Sequence, residues 1–321
     1  MYFPYLRGKQ FELIALRELC SLFPQELHKI SPIIEPVKAS STLKSTLAEF
    51  VNRNANFNLI INPRVGDLEG QYERIIEIIT SSIPKEYNNY QLAVIIDSKT
   101  EKYNEKTKRN DENIIALIKY LKGLKLNYNG ITLIHKTEIN SQNIELLKNQ
   151  LNVVYNVIYF KNTSRRYYRE FEANTLVSLD DYFEEQSRNA DYLNQESNFS
   201  KEYRFYIQDG FVGFSDFLTI GDNYSESGFL PRAVAIHLSY LDDEQIKVKH
   251  FVSDSNEDVA DIGGKFSEAI NKLVIWCNEN NLNTAAINEF RDLHDRGHFP
   301  GLGTLKKLSI MNHIELIINI I

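Results

Sequence analysis

The sequence of 321 residues predicts an α/β protein that folds as a single (β/α)8 barrel of the TIM type over residues 1–321. Short apolar runs recur along the chain, and several of them end in a polar residue followed closely by a cation. Between these runs, apolar residues take the spacing of a helix that faces a core. Alternating strands and helices of this kind predict a parallel sheet with right-handed crossover connections.

Eight apolar runs can be assigned as strands. The first five begin at Tyr2, Ile33, Leu59, Ala93 and Ile131, and three more span Val153–Phe160, Leu176–Leu179 and Val212–Ile220. An open doubly wound sheet shows the same alternation, but a count of eight favours a closed barrel. The first turn, Arg7-Gly8-Lys9-Gln10, also lacks the glycine-rich phosphate loop of a dinucleotide-binding fold.

A helix is predicted after each of the first five strands. In the second of these helices, Leu43, Leu47 and Phe50 keep the spacing of one buried face, and Ser40 precedes them as a candidate N-cap. Ser141 is the candidate N-cap of the fifth helix. The sequence therefore contains five strand–helix units in its first half.

The last third of the chain is less regular. We expect a helical stretch at Tyr182–Leu193, and a β-hairpin inserted after the eighth strand, at about residues 233–252. An amphipathic helix is predicted after Gly263-Gly264, and a C-terminal helix at about residues 302–321. Because this last helix ends in a stripe of isoleucines, we expect it to pack against the barrel or a partner.

Composition limits the classes of function. The net charge is −7, so no global basic field attracts nucleic acid, and any anion site must be a local cluster. The two cysteines, Cys20 and Cys277, lie on apolar helix faces, which predicts buried free thiols in a reducing cytoplasm. We expect neither a signal peptide nor a membrane-spanning segment.

The strongest functional pattern is a set of polar residues just after the strands, where barrel enzymes place their chemistry. The predicted ligand-binding residues are Arg7, Lys9, Lys38, Asn62, Arg64, Lys99, Lys136 and Lys161. Gathered at one mouth, these cations would focus an anion such as a phosphate group. The alternative is a set of solvated lysines paired with neighbouring carboxylates, which contribute little.

A second set has the side chains needed for acid–base chemistry. The predicted catalytic residues are Glu35, Asp97, His135 and Asp216, each of which closes or follows an apolar run. Together they could hold a hard divalent cation as cofactor, although the sequence contains no H-x-H, H-E-x-x-H or C-x-x-C motif. A structural network of ion pairs is the competing interpretation.

The segment Arg165-Arg166-Tyr167-Tyr168-Arg169 mixes cations with aromatic rings. Such a mixture can grip single-stranded nucleic acid by stacking and phosphate contact. A surface helix that uses its tyrosines for packing is the alternative.

Two stretches of the chain carry a resemblance to a known family. The first, near the start of the chain, is Tyr2–Leu16 followed by Pro32–Val37. The second, near the end, is Gly301-Leu302-Gly303-Thr304-Leu305-Lys306 followed by Asn312-His313. The chain resembles bacterial barrel proteins grouped with the phage "beta protein" type, and a subfamily encoded beside a second small protein. The resemblance implies a two-gene bacterial setting, with the neighbouring gene's product as partner and defence against phage as the role. It implies no catalytic residues.

Three functions are compatible with the sequence. The first is a cytoplasmic barrel that binds a phosphate-bearing ligand, a nucleotide or nucleic acid, at its cationic mouth. The second is a metal-dependent phosphodiester hydrolase that uses Glu35, Asp97, His135 and Asp216. The third is a non-catalytic scaffold that docks a protein partner through the C-terminal helix.

Overall fold

The computed structural model describes residues 1–100, 112–193, 195–226 and 231–321. In chain order its strands are β1 (Tyr5–Leu6), β2 (Ile33–Ile34), β3 (Phe57–Ile60), β4 (Tyr90–Ile96), β5 (Ile131–His135), β6 (Val153–Tyr159), β7 (Leu176–Asp180), β8 (Glu196–Ser200), β9 (Gly213–Asp216), β10 (Ala235–Asp242) and β11 (Gln245–Val252). Its α-helices are α1 (Gln10–Leu22), α2 (Ser41–Asn52), α3 (Tyr72–Ser82), α4 (Glu112–Gly123), α5 (Ser141–Gln150), α6 (Glu202–Phe205), α7 (Ile262–Glu279), α8 (Ala285–Asp295) and α9 (Leu302–Ile320).

The chain divides into two compact units. The first unit comprises Met1–Lys9, Pro24–Asp180 and Arg204–Asp216, and the second comprises Gln10–Phe23, Asp181–Tyr203 and Phe217–Ile321. The first unit therefore holds β1–β7 and β9, and the second holds the remaining strands with α1 and α7–α9.

The first unit contains an eight-stranded parallel sheet in the order β1-β2-β3-β4-β5-β6-β7-β9. The sheet forms a nearly closed barrel, because Tyr2 bridges Ile30 on one side and Phe214 of β9 on the other. The amide of Phe3 also donates to the carbonyl of Phe214, at 2.8 Å. All seven residues of β4 are buried, as expected for a strand covered on both faces. The predicted (β/α)8 fold is thus confirmed.

Local capping explains where two helices of the first unit, α2 and α5, begin. The Ser40 hydroxyl accepts from the amide of Leu43 at 3.1 Å, as predicted for the start of α2. At α5 the cap is the residue before the predicted one, because the side chain of Asn140 accepts from the amide of Asn143 at 2.9 Å. Asparagine and serine are equally good caps, so sequence preference could not choose between neighbours.

The second unit contains a three-stranded antiparallel sheet in the order β10-β11-β8. The predicted hairpin is confirmed as β10 and β11, with Asp242 paired to Gln245 across the turn. Asp243 in this turn has φ +51°, a left-handed conformation that aspartate tolerates better than most residues. The third strand, β8, was not predicted, because its residues Glu196-Ser-Asn-Phe-Ser carry little apolar character.

The helix predicted at Tyr182–Leu193 does not form. Only Asn189–Tyr192 is helical there, as a single 3-10 turn. Tertiary packing overrides the local signal: the ring of Phe183 lies 5.2 Å from that of His237, and the ring of Tyr192 lies 4.6 Å from it. The eighth barrel strand is also shorter than predicted and ends at Asp216.

The C-terminal helix forms as predicted, as α9, and lies within the second unit against α1, α8 and β10. Its residues from Leu308 to Glu315 are all buried. Lys306 of α9 pairs with the buried Glu12 of α1, with 2.6 Å between Nζ and Oε1. The isoleucine stripe is therefore covered by the protein itself. None of the helices in the described ranges has the length and apolar character that crossing a bilayer requires.

Candidate functional site

The polar residues after the barrel strands fall into separate groups, all within the first unit. The innermost group surrounds the buried ring of Tyr5. Lys136 Nζ lies 5.4 Å from the Tyr5 ring centre and 4.4 Å from that of Tyr159. Since β1 lies opposite β5 in the sheet order, these side chains meet across the barrel interior. Predicted ligand residue Lys136 is thus engaged by two tyrosine faces.

Glu35, a predicted catalytic residue, is buried in the same group. Its Oε2 accepts from the Tyr5 hydroxyl at 2.8 Å and lies 3.3 Å from Nη1 of Arg7. Its Oε1 accepts from the backbone amide of Arg64 at 2.7 Å. Both carboxylate oxygens are therefore occupied, and Glu35 ties the ends of β1, β2 and β3 together.

Arg64 and Asp97 form a bidentate pair at the ends of β3 and β4. Arg64 Nε donates to Oδ2 of Asp97 at 2.6 Å, and Nη2 donates to Oδ1 at 3.1 Å. Partial burial alone would raise the pKa of Asp97, but the hydrogen bond and charge of Arg64 lower it below its ordinary value. Partial burial alone would lower the pKa of Arg64, but the hydrogen bond and the charge of Asp97 raise it above its ordinary value. Both groups stay charged at neutral pH.

Asn62 lies beside this pair and serves the backbone. Its Nδ2 donates to the carbonyl of Ile95 at 2.9 Å, and its Oδ1 accepts from the amide of Ile95 at 2.8 Å. This two-way bond fixes the loop after β3 against β4. Asn62 therefore positions Arg64, two residues further along the chain.

His135 is fully buried at the end of β5. Its Nε2 lies 3.2 Å from Oδ1 of Asn156, whose Nδ2 donates to the Thr175 hydroxyl. This fixes the Nε2–H tautomer, so Nδ1 accepts from the Tyr167 hydroxyl at 3.0 Å. Burial lowers the His135 pKa to about 4. The imidazole is a neutral structural group, and Tyr167, from the predicted arginine–tyrosine segment, packs against it.

The other predicted residues are distributed around the barrel end. Asp216 is fully buried and accepts from the Tyr2 hydroxyl at 2.7 Å. Burial, followed by the charge of Asp216, raises the pKa of Tyr2 well above its ordinary value. Lys38 and Lys161 are exposed and Lys9 is half-buried. The four predicted catalytic side chains are thus held by four different sets of partners.

One pocket of about 420 Å³ brings together two of the predicted cations, Arg64 and Lys99. We call it the β3–β4 pocket; it is lined by Asn62, Arg64, Tyr72, Glu73, Lys99, Thr100, Asn113, Ala116, Leu117 and Tyr120. The rings of Tyr72 on α3 and Tyr120 on α4 meet edge to face, 5.6 Å apart. Its charged lining residues are Arg64 and Lys99 against Glu73, a surplus of one positive charge.

The tyrosines of this pocket were missed by sequence reasoning. Tyr72 falls on the apolar stripe of α3, a spacing that is typical of a core residue. Tyr120 lies in the helix that follows the next strand and belongs to no motif. Only the shared position of α3 and α4, after neighbouring strands, could have indicated that the two rings meet.

The described residues contain no group of three or more histidine, cysteine, aspartate or glutamate side chains placed to hold a metal ion. The four residues of the hydrolase hypothesis, Glu35, Asp97, His135 and Asp216, therefore do not form such a group. What the arrangement offers chemically is recognition of an anion beside aromatic rings.

Comparison with known proteins gives no assignment. No family model matches the chain, and no curated protein matches it either. The resemblance to the phage "beta protein" type therefore stays a prediction, and the geometry of the β3–β4 pocket is the basis for a functional proposal.

Proposed function

We propose that this protein binds a phosphate-bearing ligand, a nucleotide, in the β3–β4 pocket. It would do so as one component of a bacterial two-gene system for defence against phage, with the neighbouring gene's product as partner. The observation that supports this best is the meeting of two cations and two tyrosine rings in one pocket at the carboxyl ends of barrel strands.

The phosphate would lie against Arg64 and Lys99. Asp97 holds the Arg64 guanidinium in place through Nε and Nη2, and Nη1 lies 3.4 Å from the carbonyl of Asn62. Nη1 carries two N–H groups, so it has donor capacity for a phosphate oxygen. Lys99 Nζ lies 3.4 Å from Oε1 of Glu69, and both side chains are exposed. Replacing this ion pair by a pair between Lys99 and a phosphate therefore costs little free energy.

The base would pack on the aromatic side of the pocket. Tyr72 and Tyr120 present ring faces and edges beside the apolar Leu117 and Ala116. Stacking on tyrosine accepts any base, because every base has a π face. The volume of about 420 Å³ lies in the range of pockets for small ligands.

The two-gene setting rests on the resemblance carried by Tyr2–Leu16 and Gly301–Lys306. A nucleotide-binding barrel is compatible with that setting. Co-purification of the neighbouring gene's product with and without nucleotide tests this part of the proposal.

The binding proposal is tested by calorimetric titration with ATP, GTP, CTP and UTP, and with inorganic tripolyphosphate to isolate the phosphate contribution. Lys99→Met removes an exposed ammonium at the pocket and is expected to weaken nucleotide binding about tenfold. Lys85→Met, which removes an exposed lysine that does not line the pocket, is the matched control.

Tyr120→Leu is expected to weaken the binding of nucleotides and to leave the affinity for tripolyphosphate unchanged, because only the base of the ligand contacts the Tyr120 ring. Equal binding by wild type and Lys99→Met, or no binding of any of the four nucleotides at millimolar concentration, would overturn the proposal.

A further inference from the structure

The second unit has a pocket of its own at one end of its three-stranded sheet. Strand β8 begins at Glu196, which pairs with Lys249, whereas β11 continues to Val252. β11 therefore runs three residues past the start of β8, and a groove of about 390 Å³ lies along this overhang. We call it the β11 pocket; it is lined by Leu193, Gln195, Glu196, Lys249, His250, Phe251, Val252, Lys272 and Trp276.

Trp276 of α7 gives this pocket an aromatic wall. Its indole is held from within the unit by Tyr240, at 4.8 Å between ring centres, and by Phe251, at 5.6 Å. Lys249 Nζ lies 5.2 Å from the indole centre, a cation–π distance. A fixed, half-buried indole is a platform on which a planar ring can stack.

The charges of the β11 pocket favour an anion. Its charged lining residues are Lys249 and Lys272 against Glu196, a surplus of one positive charge in a protein whose net charge is −7. The Lys272 ammonium is fixed by the carbonyl of Val252, at 2.7 Å, and by Asp254, at 2.6 Å. Lys249 shares Glu196 with Lys247, and these pairs are partly exposed and exchangeable.

We infer that the β11 pocket is a second binding site, separate from the β3–β4 pocket, for a small planar aromatic anion. The ring of the ligand stacks on Trp276, and its carboxylate or phosphate group pairs with Lys249 and Lys272. His250 also lines the pocket and is buried; burial, followed by the charge of Lys249, lowers its pKa to about 4, so at neutral pH the two lysines are the cations that face the ligand.

Trp276 is the only tryptophan in the chain, so its fluorescence reports on this pocket alone. The full-length protein is titrated with 4-nitrobenzoate and with 4-nitrophenyl phosphate, whose nitro group quenches tryptophan on contact. N-acetyltryptophanamide gives the collisional background. Saturable quenching by either anion is expected, and comparison of the two shows which acid group the pocket prefers.

Lys249→Met is expected to raise the dissociation constant about tenfold. Lys201→Met is the matched control, because Lys201 is an exposed lysine of the same unit that does not line the pocket, so its loss should change the constant by less than about twofold. Lys272→Met provides a second variant should Lys249→Met fail to fold, as judged by circular dichroism.

Quenching that never saturates and matches the collisional background would overturn the inference. So would equal binding of the neutral 4-nitrobenzamide, or equal effects of Lys201→Met and Lys249→Met.

Discussion

The guanidinium of Arg64 and the carboxylate of Asp97 meet through two hydrogen bonds, at 2.6 and 3.1 Å, at the ends of adjacent barrel strands. The same carboxylate accepts from the backbone amides of Lys99 and Thr100, at 2.9 and 3.2 Å. One side chain thus fixes both the cation at the wall of the β3–β4 pocket and the loop that carries the next cation. Both carboxylate oxygens of Asp97 are thus engaged in holding Arg64 and this loop.

Asp97→Asn should therefore destabilise the protein. The amide cannot accept both bonds from the guanidinium and leaves a partly buried cation without its counter-charge, which costs about 2 kcal/mol in the free energy of unfolding. Urea denaturation of the two proteins measures the difference. Asp191→Asn is the control, because Asp191 also pairs with an arginine, Arg188, but at the surface, where loss of the pair should have no measurable effect.

The effect of Asp97→Asn should depend on pH. The folded pKa of Asp97 lies below its unfolded value, so the ionised carboxylate contributes its full stability above the unfolded pKa, about 3.9. This contribution is lost as the pH falls through the folded pKa. A stability difference between wild type and variant that is the same at neutral pH and below about pH 3 would contradict the assignment.

Tyr5→Phe tests the cluster at the barrel mouth. The substitution keeps the ring that Lys136 contacts and removes only the hydroxyl that donates to Glu35, at 2.8 Å. A buried hydrogen bond to a charged acceptor is worth about 1.5–3 kcal/mol, so the free energy of unfolding should fall by that amount.

A double-mutant cycle with Glu35→Gln isolates this bond. Tyr5 and Glu35 are in direct contact, so we expect a coupling energy of at least about 0.5 kcal/mol between the two substitutions in urea denaturation. Additive effects would show that the hydroxyl is stabilised by some other group.

The barrel was predictable because its signal is local. Runs such as Ala93–Ile96 are apolar at every position, which only a strand covered on both faces requires. The stretch Tyr182–Leu193 shows the opposite case, because Tyr192 and Phe183 pack against His237 on a strand some fifty residues later. No local pattern records that contact, so local helix signals gave the wrong element.

The same distinction applies to the site. The sequence shows that cations follow successive strands, but it does not show which side chains each cation contacts. Arg64 and Lys99 line a pocket, whereas Lys136 contacts the rings of Tyr5 and Tyr159. All three follow an apolar run in the same way, and the difference comes from side chains on other strands and helices. The role of a strand-end cation therefore required the assembled barrel.

Three histidines with lowered pKa values should make the protein sensitive to mild acid. Burial lowers the pKa of His135 to about 4, that of His237, beside His250, to about 3, and that of His250 to about 4. Between about pH 6.5 and pH 4 the unfolded chain binds a proton at each site and the folded protein does not. The free energy of unfolding should then fall with decreasing pH, by about 1.4 kcal/mol per pH unit for each histidine.

Urea denaturation at several pH values between about 7.5 and 5 measures this slope. In the folded protein the Nδ1 atoms of His237 and His250 lie 2.8 Å apart, so one must donate and the other accept. Protonating the acceptor removes that bond. His250→Asn should reduce the slope of the free energy of unfolding against pH by about 1.4 kcal/mol per pH unit, the contribution of one proton. Stability that does not change over this range would show that the imidazoles are not buried as neutral groups.

The last prediction concerns Gly303, in one of the two stretches that carry the family resemblance. A Cβ built at Gly303 of α9 would overlap the ring of Phe11 of α1, in the other stretch. The two stretches are therefore in contact within the second unit, and the glycine is required by close helix packing. Gly303→Ala should destabilise the protein by about 1–3 kcal/mol, because the ring of Phe11 must shift within a packed interface.

Gly123→Ala is the matched control. Gly123 is also helical, at the end of α4, and a Cβ there would meet nothing within 4 Å in the described part of the chain. Alanine should leave stability unchanged or raise it by up to about 1 kcal/mol, because it is the better helix former. In thermal or urea denaturation, Phe11→Leu should recover part of the loss in Gly303→Ala, because the smaller side chain makes room for the methyl group. Equal effects of the two glycine substitutions would mean that helix propensity, and not contact with Phe11, determines the outcome at Gly303.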